Sequence, residues 1–195
     1  MSVIKKFIVF LSLSTLLLFN KSNLTAQTSP NLKFGSVFVY RDISDTEADT
    51  FGMMDGWHIG LDARISPYGY YLSPGLHLYW FQVKEGNNFL SVGDPRYFNL
   101  KIPLNMGYCV NMNRKFSVRF SVGGNINYVF HVDKNDVGID FTTINDLFLG
   151  VNAGGGFDYG RFTFDVVYEN GLTPVVKIPD KRRFNFWSVT IGRLF

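Results

Sequence analysis

Apolar and polar residues alternate along most of this chain with a period of two. In WHIGLDARI, Trp57, Ile59, Leu61, Ala63 and Ile65 share one parity, and His58, Gly60, Asp62 and Arg64 share the other. In YFNLKIPLNMGYCV the apolar set runs Phe98, Leu100, Ile102, Leu104, Met106, Tyr108 and Val110. In FSVRFSVGGNINYVF it runs Phe116, Val118, Phe120, Val122, Ile126, Tyr128 and Phe130. Successive side chains of a strand point to opposite faces, so this pattern predicts strands with one apolar face. Weaker versions occur near 32–41, 70–83, 147–159, 161–171 and 184–195. Together they predict eight strands, most of them as long as the roughly 9–11 residues a tilted strand needs to cross a bilayer. No segment carries a helical period, and no repeat of domain scale is evident.

The connections alternate in length. DISDTEADTFGMMD is long, SPYG short, KEGNNFLSVGD long, the link around NMNR short, HVDKNDVGIDFTT long, Tyr159-Gly160 tight, and LTPVVKIPDKR long. An all-β, eight-stranded, antiparallel, up-and-down transmembrane β-barrel has this rhythm, with short periplasmic turns and longer extracellular loops.

A soluble barrel would turn its apolar face inward, and a membrane barrel turns it to lipid. The polar parity includes Gly60, Gly75, Gly107, Gly123, Gly150, Gly154, Gly156 and Gly192. Glycine in a strand marks close approach. The interior of an eight-stranded barrel is crowded in that way, while a water-facing surface is not. The apolar, aromatic parity is therefore expected outside and the small polar parity inside. The alternative is a secreted, soluble, lipocalin-like carrier with Phe, Leu and Ile in its core. In FWSVTIGRLF, Trp187, Val189, Ile191 and Phe195 share the predicted outer face. An aromatic final residue on such a strand is similar to the signal read by the bacterial barrel-assembly machinery.

Lys5 and Lys6 precede the apolar run FIVFLSLSTLLLF, which is too short to span a membrane as a helix and is followed by LTAQ. Residues 1–26 are therefore expected to be a cleaved signal peptide, leaving 27–195 as one outer membrane barrel domain. The formal charge of +3 belongs to Lys5, Lys6 and Lys21; from residue 27 onward acids and bases balance. This removes the case for nucleic acid as a partner. Cys109 is the only cysteine, so no internal disulfide forms.

GWHIGLDARI, YFNLKIPLNMGY, FSVGGNINYVF and the final SVTIGRLF together resemble the PorT-like, OmpA/OmpX-type outer membrane β-barrel proteins of Gram-negative bacteria. The resemblance covers 27–195. It implies a monomer in outer membrane lipid, with a role in envelope integrity, adhesion or support of a secretion complex.

The polar parity carries Lys33, Asp62, Arg64, Lys101, Arg119, Asp158, Asp165 and Glu169, expected to pair as a polar network filling the lumen rather than lining a conducting path. If SPYG is a four-residue loop, Ile65 faces Tyr70, and His58 faces His77 with both rings inward. Such a pair has the chemistry of a metal site or a pH sensor. Two neutral, hydrogen-bonded imidazoles are the simpler expectation, because no third ligand is identifiable and Asp62 lies four residues along the strand. No cofactor and no metal are expected. GxSxG is absent and no nucleophile–base pair is supported by spacing, so a lipid-modifying outer membrane enzyme is the weaker alternative. The first long connection is acidic (Asp42, Asp45, Glu47, Asp49, Asp55) and the last basic (Lys177, Lys181, Arg182, Arg183). These loops are where lipopolysaccharide or protein contacts are expected.

Overall fold

Eight strands form a closed antiparallel barrel, each paired with its neighbours in chain order. They are β1 (Gln27–Arg41), β2 (Gly56–Ser66), β3 (Tyr70–Gln82), β4 (Arg96–Asn111), β5 (Phe116–Val132), β6 (Leu147–Tyr159), β7 (Phe162–Gly171) and β8 (Phe184–Leu194). This computed structural model describes residues 27–41, 56–66, 69–82, 96–133, 144–175 and 183–195. The segment 1–26 and most of the long connections lie outside the described residues. β1 begins at Gln27, five residues before the predicted start at 32, because Gln27 through Asn31 pair with Ser66 through Asp62 of β2. The barrel closes where Asn31 through Arg41 pair with Leu194 through Phe184.

Closure leaves no strand edge. It also fixes which parity faces where. The apolar parity is outside: Phe34, Met106, Phe120 and Ile191 are each more than 60% exposed. Leu61, Leu76, Leu104 and Val122 continue the same belt. Soluble monomers rarely expose contiguous apolar patches beyond a few hundred square ångströms, and this one circles the molecule. Strands of 10 to 17 residues are long enough to cross a hydrocarbon layer.

The inner parity explains the glycines. A Cβ on Gly60 would overlap the His77 ring, and one on Gly75 would overlap the Asp62 carboxylate. On the outer parity, Gly124 has no heavy atom nearer than 3.8 Å to a would-be Cβ. Glycine is thus required inside, where the side chain of the paired residue on the neighbouring strand folds over the backbone.

The interior is not uniformly small and polar. Toward the long connections it becomes apolar: Val37, Tyr79, Phe81, Tyr97, Val129, Ile144, Phe148, Val175, Phe184 and Phe186 form one buried cluster. Ile144 and Val175 come from the long connections themselves, and Asn145 N–H donates to Val175 O at 2.7 Å. The rings interlock: Phe81 stacks on Tyr97 at 5.4 Å and meets Phe184 edge-on at 6.1 Å. This corrects the expectation of a small, polar lumen throughout. Apolar side chains gathered there stabilise this end of the barrel by excluding water.

Candidate functional site: the filled lumen

Beneath the aromatic cluster, all eight predicted lumen residues point inward and join ion pairs. One chain of contacts crosses the barrel. Lys33 Nζ reaches Asp62 Oδ2 at 2.6 Å and Asp165 Oδ2 at 3.2 Å. Arg119 Nη2 forms an ion pair with Asp165 Oδ1 at 2.8 Å, and its Nε donates to Asp158 Oδ1 at 2.9 Å. Arg64 Nη1 completes the chain on Asp158 Oδ2 at 2.7 Å. β1, β2, β5, β6 and β7 are tied together in this way, and no two of the linked residues are adjacent in sequence.

The second centre is Lys101 with Glu169, 2.5 Å apart. Asn127 Nδ2 donates to the other Glu169 oxygen at 2.8 Å, and Asn99 Nδ2 donates to Asn127 Oδ1 at 3.0 Å. Lys101 Nζ also sits 3.8 Å from the Tyr79 ring centroid and 4.5 Å from that of Phe186. This cation–π contact joins the polar layer to the aromatic plug. Four cations face four carboxylates, so the lumen is neutral when its histidines are neutral. Charges removed from water must be paired in this manner.

The histidines lie differently from the prediction. Gly60, not His58, pairs with His77, and His58 pairs with Tyr79. The β2–β3 register is set by Ile65 pairing with Leu72 rather than with Tyr70. Gly69, at φ 88°, takes the left-handed conformation before β3, and Ser66 Oγ donates to Tyr70 O. The two imidazoles are therefore diagonal neighbours, stacked with centroids 5.5 Å apart and planes 8° apart. Parallel rings hold their nitrogen lone pairs in parallel planes, so they do not converge on one ion without rotation. Each Nε2 is engaged elsewhere: His58 with Thr190 Oγ1 at 2.9 Å, His77 with Asp62 Oδ1 at 2.7 Å. Asp62, judged too distant from the sequence, is a direct partner of His77, because the shifted register puts it opposite Gly75. Among the described residues no group of three metal-ligating side chains gathers.

One space within the lumen is about 40 Å³, bordered by Lys33, His58, His77, Lys101, Asn125, Asn152 and Glu169 among others. That holds roughly three waters. The arrangement can neutralise charge and stiffen the barrel by tying its strands together.

Trp187, Val189 and Ile191 share the outer face of β8 and Phe195 follows its end, exposed, with Trp187 against Tyr168 of β7 at 4.9 Å. The acidic residues of the first long connection, and Lys177, Lys181 and Arg182 of the last, lie outside the described residues.

No family model and no curated protein sequence matches the chain. Solved structures do. Neisserial surface protein A is 13% identical with a TM-score of 0.54, over 87% of this chain and 99% of that one. Ail, the attachment invasion locus protein of Yersinia pestis, is 14% identical with a TM-score of 0.48, over the same shares of each chain. The outer membrane enzyme PagL is 10% identical with a TM-score of 0.42, over 86% and 99%. The closed eight-stranded antiparallel barrel described above is the fold of the small outer membrane barrel proteins.

Proposed function

We propose that this chain is a small outer membrane barrel of the PorT-like, OmpA/OmpX-type group, exported through a cleaved 1–26 signal peptide. In this reading it is non-catalytic and acts through its long connections, in envelope integrity, adhesion or support of a secretion complex. The observation that carries this reading is the self-sufficiency of the lumen. Every lumen carboxylate and cation is spent on an internal partner, and the aromatic plug closes the end toward the long connections. A barrel sealed in this way has its external segments left for specific contacts. The outward belt supports a lipid environment, and the outward Trp187, Val189, Ile191 and Phe195 support recognition of β8 by the assembly machinery.

Two variants test it in cells that lack the protein. One replaces the connection 42–55 by a short turn; the other replaces Lys101 and Glu169 together by Met and Leu. Both are expected in the outer membrane fraction, with gel mobility that changes on boiling. Loss of complementation by the loop variant alone is the expected result. Loss by the lumen variant alone would move the function into the barrel interior.

A further inference from the structure

The balanced charge of residues 27–195 conceals a separation along the barrel axis. The lumen is neutral. The side of the long connections, from the strand ends outward, holds twelve acidic and eight basic residues. The side of the short turns holds Arg114, Lys115, Arg161 and Arg193 and no acid. All four are exposed. None has an ion-pair partner among the described residues. The described acids lie elsewhere: Asp133 and Asp146 at the opposite end, and Asp62, Asp158, Asp165 and Glu169 in the lumen.

The four cations form one arc of the rim. Gly160 N–H donates to Lys115 O at 2.8 Å, which seats the β6–β7 turn against the β4–β5 turn. Leu194 N–H donates to Arg161 O at 2.7 Å, which seats the end of β8 beside Arg161. Exposed aromatics stand along the same rim: Tyr70 at 66%, Tyr159 at 60%, Phe162 at 61% and Phe195 at 64%. The Arg193 guanidinium lies 5.4 Å from the Phe195 ring centroid. Aromatic rings mark the boundary between hydrocarbon and headgroups in membrane barrels. Long basic side chains starting at that boundary place their charge among the headgroups.

Resting on the membrane-barrel reading above, we propose that this arc binds the phosphates of anionic phospholipids in the leaflet at the short-turn side. It thereby fixes the depth and orientation of the barrel. The chemistry is that of a cationic, aromatic-flanked rim facing a phosphate surface, and among the described residues no acidic side chain pairs with it, Asp158 beneath it being held by Arg64 and Arg119. Each basic residue near an anionic surface strengthens association about fivefold.

The test is spin-label electron resonance on the barrel reconstituted in phosphatidylcholine vesicles containing phosphatidylglycerol. Spin-labelled phosphatidylglycerol is expected in the first lipid shell in preference to spin-labelled phosphatidylcholine. The preference is expected to vanish in R114Q/K115Q/R161Q/R193Q and to weaken steeply toward 1 M salt, where the screening length is about 3 Å. It should survive K177Q/K181Q/R182Q/R183Q, which removes the basic cluster of the last long connection. Equal association of the two lipids with the wild type at low salt would overturn the proposal. So would a preference retained by the rim variant or lost in the loop variant. Binding of the wild type to sedimented peptidoglycan, without lipid preference, would also overturn it and give the rim to the cell wall. A gel shift on boiling shows independently that the barrel is folded, so failure of the rim leaves the barrel reading standing.

Discussion

At the scale of single residues, Lys101 and Glu169 carry the clearest consequence. Both are almost fully buried, and among the described residues each is the other's only opposite charge within ion-pair distance. Removing one strands the other. Glu169→Ala is expected to cost about 3–5 kcal/mol in urea unfolding from vesicles. Replacing both by Met and Leu is expected to restore most of that loss, because the desolvation cost leaves with the charges. Equal losses in the single and double variants would show that packing, not charge, is at stake. Gly60 makes a second case. The His77 ring lies over its backbone, so Gly60→Val must displace that ring and break its bond to Asp62. The expected effect is a loss of more than about 1 kcal/mol, the strain typical of overpacked interiors, in the same unfolding measurement. All eight lumen charges were legible in the sequence, because parity alone decides whether a side chain points inward. Their partners were not. Lys33 with Asp165, or Arg119 with Asp158, depends on how far each strand is staggered around the barrel, and that stagger leaves no local mark.

At the scale of elements, alternation fixed the number, order and approximate bounds of the strands. It failed where a turn sets register. Four residues of SPYG suggested a tight hairpin, yet the first pair beyond it is Ile65 with Leu72, two positions away from the expected partner. A shift of two preserves parity, so every side chain kept its face while His58 and His77 lost their direct pairing. The aromatic plug was missed for another reason, although a signal existed. Trp80-Phe81, Tyr97-Phe98, Leu147-Phe148 and Phe186-Trp187 put large apolar residues on both parities at the long-connection ends of β3, β4, β6 and β8. Apolar residues on both faces mean burial on one and lipid on the other. The outer face gives a direct prediction. Val122 is 55% exposed at mid-strand in β5, between Met106 of β4 and Ala153 of β6. Val122→Arg is expected to cost about 2–4 kcal/mol in vesicles, as for a charge near the bilayer midplane. On a water-facing surface the same change would fall within about 0.5 kcal/mol.

At the scale of the whole molecule, the lumen is filled in two layers, by crossing ion pairs and by the aromatic cluster above them. Planar bilayers carrying the folded protein are therefore expected to show no stable unitary conductance. Regular steps of current would mean that these layers open. The central claim is that the fold turns its apolar parity to lipid, and the tryptophans report on it directly. Trp57 and Trp187 are about 40% exposed on the outer face, and Trp80 pairs with Trp57 on that face. The decisive measurement is their fluorescence after refolding into vesicles of brominated phosphatidylcholine, compared with the unbrominated lipid. Strong quenching by the bromines is the predicted result. Unchanged emission, with the protein recovered free of vesicles, would place the apolar face inside a soluble barrel and contradict the account.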